Sequence, residues 1–131
     1  MKKPFVIREE DITAYQPANH TGTFNRRLIS PETVGSKSVE VLLGTIEPGQ
    51  GAQRHAHPGI EQVCYLLEGE AIAELDGVQE HMKPGDCCFF PADVPHTFTV
   101  VGDTPARLLV VYTPPYEESA DRVIRYAEPA E

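Results

Sequence analysis

Apolar positions along this chain come in short runs, at 38–46, 62–67, 71–75, 87–90, 97–101 and 108–112. Between them lie stretches rich in Gly, Pro and Asp: EPGQG, LEGE, ELDG, KPGD, PADVP and VGDTP. Strands of about five residues set off by such turns predict an all-β sandwich or barrel. None of the 12 prolines interrupts a central strand candidate. His81, in QEHMKPGD, is expected on a surface turn.

The ends are less regular. In residues 1–37, PFVIREED and TFNRRLIS are expected as edge strands or arms. The tail, 114–131, is expected to hold one short helix at 117–124 and an acidic tip. No repeat or low-complexity linker divides the 131 residues, so the expectation is one domain: an N-terminal arm at 1–37, a barrel at 38–113 and a C-terminal tail.

A formal net charge of −9 argues against nucleic acid, which needs clustered Lys and Arg. No apolar run approaches the roughly 18–20 residues of a membrane helix, and the opening MKKPFVIREEDI lacks a signal-peptide core. A cytoplasmic protein that meets small molecules or its own copies is the expectation. Three cysteines are an odd number, and a bridge between the neighbours Cys87 and Cys88 would be strained, which predicts free thiols.

Two histidines one residue apart, His55 and His57, project from one face of an extended segment and aim two imidazoles at a common point. A third, His96, opens the strand candidate 97–101, which antiparallel pairing can bring alongside. Three imidazole nitrogens and an oxygen suit one divalent transition metal ion, whether Zn, Fe, Ni, Mn or Cu.

Two segments resemble the paired motifs of the cupin superfamily. In the first, Gly49, His55, His57 and Gly69 match; in the second, Gly85, Pro91 and His96 match. Asp93 stands where the family has Gly, and Val100 where it has Asn. The resemblance implies a small antiparallel jelly-roll barrel with a mononuclear metal site and a small organic substrate. The family motif leaves six residues between its oxygen ligand and the closing Gly, which points to Gln62 rather than Glu61. Glu61 would shift the strand by one residue and turn its side chains over. A neutral amide leaves the ion its full +2 charge and favours Lewis-acid chemistry.

Other candidates surround this set. Glu61 could hold a histidine N–H, His20 could cap the pocket, Arg27 beside Arg26 could clamp a substrate carboxylate, and Phe98 and Tyr112 could line the cavity. Cys64 shares a strand face with Gln62, which would place it just below the metal; a small buried core residue is the leading expectation for it. An enzyme of isomerase, lyase or dioxygenase type is the leading expectation; a non-catalytic sugar- or aromatic-binding cupin is the alternative. On the other face of the same strand, Val63, Tyr65 and Leu67 need cover, which predicts a homodimer.

Overall fold

The computed structural model describes residues 3–17, 20–52, 54–117 and 123–126. Among the described residues, one 3-10 turn, Glu9–Asp11, is followed by ten strands. They are β1 His20–Ile29, β2 Glu40–Ala52, β3 His55–Ala56, β4 Glu61–Glu68, β5 Glu70–Leu75, β6 Val78–Met82, β7 Cys87–Phe90, β8 His96–Val101, β9 Ala106–Thr113 and β10 Ile124–Arg125. All pairings are antiparallel, and the sheet curls into a nearly closed barrel. No helix among the described residues is long and apolar enough to cross a membrane.

Strand period sets the interior. In β4 the alternation of EQVCYLLE sends Gln62, Cys64 and Leu66 inward, at 8%, 1% and 0% exposure. Register then builds rows across the sheet. Glu40, Tyr112, Gln62 and Phe90 lie side by side on β2, β9, β4 and β7, and all four are buried. The next inward row is Leu42, Val110, Cys64 and Cys88. A fully buried aliphatic such as Leu66 contributes about 1.5–3 kcal/mol relative to exposure.

Three expectations need correction. EPGQG was read as a turn, but β2 runs through it to Ala52. Ladder register slips between Thr21 and Thr23, so Pro48 sits in the bulge, where its missing N–H costs no ladder bond. QEHM was read as part of a turn, yet it belongs to β6, whose polar residues face water opposite β5. His81 is exposed there and meets Glu70 at 2.9 Å. The helix expected at 117–124 falls largely outside the described residues; its last residue, Ile124, belongs instead to β10, paired with Ala56.

TFNRRLIS falls largely within β1, an edge strand paired along β2. Ahead of it the arm is tied down by the Tyr15–Asn25 bridge and by Arg26 Nε donating to the Ile12 carbonyl at 3.1 Å.

Candidate metal centre

Two-residue strand β3 carries His55, and the chain leaving it carries His57. His55 is cross-paired with His96, the first residue of β8. The three ligand-capable nitrogens lie within 4.8 Å of one another. His57 and His96 are each 2% exposed and His55 is 9%. Ring centroids are 4.8 Å apart for His55–His57 and 4.5 Å for His55–His96.

Each ring is held by neighbours. His96 Nδ1 meets the Val94 carbonyl at 3.2 Å; with Nδ1–H as donor, Nε2 is left as the lone-pair nitrogen a metal needs. Phe90 stacks on the same ring at 4.1 Å and 8°. Burial, with His55 and His57 close by, pushes the His96 imidazole down to about 3, so it is neutral at ordinary pH. His57 packs against Tyr116 at 4.5 Å and Tyr112 at 5.4 Å.

Gln62 turns inward beside the histidines, and its Nε2 donates to Cys64 Sγ at 3.3 Å. That bond directs Oε1 away from the thiol. Among the described residues, Gln62 Oε1 and His96 Nε2 are buried without a hydrogen-bond partner. Two orphaned buried acceptors beside three converging imidazoles fit a metal ion well, since such groups otherwise cost about 1–3 kcal/mol each. Glu61 opens β4 on the solvent side and is exposed.

The remaining candidates divide. Phe98 and Tyr112 line a cavity of about 50 Å³ with His55, His96 and Gln62. Arg27 pairs through Nε with Glu40 at 3.2 Å and donates to the Tyr15 hydroxyl at 3.0 Å, so its guanidinium is engaged within the protein. The His20 backbone pairs with Ala52; its side chain lies outside the described residues.

Sequence reasoning missed Asn25 and Tyr116. Asn25 is inward on β1 and lines the cavity, a placement that follows once TFNRR is read as a strand with Thr23 and Asn25 on one face. Tyr116 carries no periodic signal, because Glu40 fixes it from 76 residues away.

The substitution at Asp93 joins the two motifs. Its backbone is left-handed, φ 70°. Its N–H donates to the His57 carbonyl at 3.1 Å, and its Oδ1 accepts the Gly59 N–H at 3.1 Å. A glycine could supply the first bond and never the second.

Residues 42–112 match the cupin domain family. The chain belongs to that family. This cupin is 32% identical over 107 residues to polyketide synthase CurC of Streptomyces cyaneus, covering 82% of this chain and 70% of the relative. The structure of the polyketide cyclase RemF from Streptomyces resistomycificus superposes with a TM-score of 0.75 at 25% identity, covering 100% of this chain and 89% of that one. A sugar phosphate isomerase of the cupin superfamily from Silicibacter pomeroyi gives a TM-score of 0.70 at 30% identity, covering 84% and 76%.

Proposed function

We propose that this cupin is an enzyme that holds one divalent metal ion on His55, His57, His96 and the Gln62 amide oxygen. It acts on a small organic substrate through a carbonyl or carboxylate oxygen, in isomerase, lyase or cyclase fashion. The observation that carries this reading is the convergence of three imidazole nitrogens within 4.8 Å beside the orphaned Gln62 oxygen. When bound, the ion supplies Lewis acidity.

The chain's own residues supply the rest. Four neutral donors add no negative charge, which leaves the ion's field undiminished toward a substrate oxygen. Val94 and Phe90 fix the His96 ring; Tyr112 and Tyr116 wall His57 with aromatic surface. The relatives named for polyketide cyclisation and sugar phosphate isomerisation support oxygen-rich substrates.

About 50 Å³ beside the histidines accommodates an ion and the coordinating group of a ligand, whether that ligand is turned over or, in the sugar- or aromatic-binding alternative, only held.

Elemental analysis tests the reading: one ion per chain in the wild type, none in a folded His57→Ala variant. Full occupancy in that variant would sink the assignment. Turnover without oxygen uptake at an electrode supports isomerase, lyase or cyclase chemistry, and stoichiometric oxygen consumption would make the protein a dioxygenase instead.

A further inference from the structure

Cys64 on β4 and Cys88 on β7 are direct partners across the ladder. Directly opposed residues in an antiparallel pair have Cα atoms about 4.5 or 5.5 Å apart, both inside the roughly 4.4–6.8 Å that a disulfide spans. Both side chains lie on the inner face: Cys64 is 1% exposed, and Cys88 is half-buried and packed against the core. Each thiol perturbs the other: the neighbouring Cys88 pushes the Cys64 thiol up, and Cys64 draws that of Cys88 down. Cys87, the chain neighbour, is exposed on the other face opposite Tyr65.

The two thiols differ in access. Cys64 lines the small cavity at the histidines, whereas Cys88, together with Cys87, Met82 and Phe89, lines a lateral pocket of about 790 Å³. That volume admits a small organic molecule. A reagent entering from the side therefore reaches Cys88 before Cys64, and of the two cysteines in that pocket Cys88 alone has a second thiol directly across the ladder. Cys64 in turn accepts the Gln62 amide N–H at 3.3 Å, so the thiol pair joins the lateral pocket to the Gln62 side chain.

We propose that Cys64 and Cys88 form a dithiol site that a low-molecular-weight disulfide oxidises through the lateral pocket, and that oxidation releases the Gln62 amide from Cys64. The Cys88 thiol gives up its proton to water and its sulfur attacks one sulfur of the external disulfide; the S–S bond breaks, and the first small thiol leaves as thiolate and takes up a proton from water. The Cys64 sulfur then displaces the second thiolate from the mixed disulfide, its proton passing to the departing sulfur. Two protein thiols and one external disulfide become one protein disulfide and two small thiols. The Cys64 sulfur is drawn toward Cys88 and its S–H is lost, so the Gln62 N–H faces a displaced and poorer acceptor. The thiol pair stands whether or not a metal binds; only its bearing on catalysis rests on the function proposed above.

The test uses the full metal-free chain and oxidised glutathione. Thiol titration is expected to fall from three per chain to one, with mass spectrometry showing a loss of two hydrogens and a linked Cys64–Cys88 peptide pair. Dithiothreitol should restore all three. Cys64→Ala and Cys64→Ser should instead accumulate a glutathione adduct on Cys88, and agreement between the two variants guards against a folding defect in one. The Gln62 side-chain amide resonance should shift on oxidation in the wild type and stay fixed in Cys88→Ser. Adducts confined to Cys87, with Cys64 and Cys88 unmodified in the folded protein, would overturn the site. A linked pair with an unmoved Gln62 resonance would overturn the coupling.

Discussion

Glu40 Oε1 accepts the backbone N–H of Tyr116 at 3.2 Å and that of Glu117 at 3.3 Å, pinning the segment that follows β9 to the start of β2. Its other oxygen pairs with Arg27. Through this one carboxylate, the Tyr116 ring is set against His57. A fully buried acid is thus a positioning group for the candidate metal centre.

Replacing it should be costly. Glu40→Ala removes the acceptor for two backbone N–H groups and leaves Arg27 without its carboxylate, which should destabilise the fold by about 3 kcal/mol. The lower part of the usual range applies because Arg27 is 26% exposed and can regain water. Glu40→Gln keeps the Oε1 acceptor and should lose less. Urea unfolding measures both, and equal losses in the two variants would discount the backbone bonds.

The same residue sets a pH dependence. Burial raises the Glu40 carboxyl above its usual 4.5, against the opposing pull of the Glu117 N–H and Arg27. A raised folded value means the native state holds the proton more tightly, so this contribution is complete below 4.5 and lost as pH rises through the folded value. Wild type should therefore lose stability relative to Glu40→Gln as pH rises above 4.5. A difference that grows in the other direction would contradict the shift.

At the metal centre, Gln62 and Glu61 should separate cleanly. Gln62→Ala should weaken metal binding on the order of tenfold, whereas Glu61→Ala should leave it unchanged. Titration calorimetry with one divalent ion reads both. Loss of binding in the Glu61 variant alone would reverse the assignment.

Asp93 offers a test of how the two motif loops are joined. Asp93→Gly keeps the left-handed backbone and loses only the bond to Gly59, at roughly 0.5–1.5 kcal/mol. Asp93→Ala adds backbone strain at φ 70° and should cost more. Thermal unfolding ranks them, and an Asp93→Ala protein as stable as Asp93→Gly would count against that strain.

Tyr65, Leu67 and Phe89 remain 41%, 40% and 48% exposed on the outer face of β4 and β7, beside Val63. The N-terminal arm, held at β1, leaves them uncovered. A homodimer through this face is expected at micromolar concentration, and Tyr65→Lys with Phe89→Lys should give monomers. Light scattering that finds wild-type monomer would remove the expectation.

Legibility in the sequence followed the physics of each element. Strand β4 could be read residue by residue because its alternation is strict and one face is buried. The three histidines were legible because strand period two and motif spacing act locally. By contrast, β6 has four exposed residues and no apolar rhythm, so QEHM looked like a turn. Pro48 and two glycines disguised the end of β2 because a bulge tolerates what a regular ladder would not. Tyr116 and Arg27 were placed by Glu40, a partner distant in sequence, which no local pattern reports.

Strand β3, only two residues long, lies between β8 and β10. His55 is paired on one side with His96 and on the other with Arg125, and the Tyr126 N–H reaches the Arg54 carbonyl at 2.7 Å. The segment that matches the family ends at residue 112, short of both Tyr116 and this last strand. A protein trimmed to that match would keep the histidines and strip away one flank of His55. A tag or partner protein joined directly after Tyr126 would therefore adjoin the backbone that seats a candidate ligand, and a spacer belongs between them.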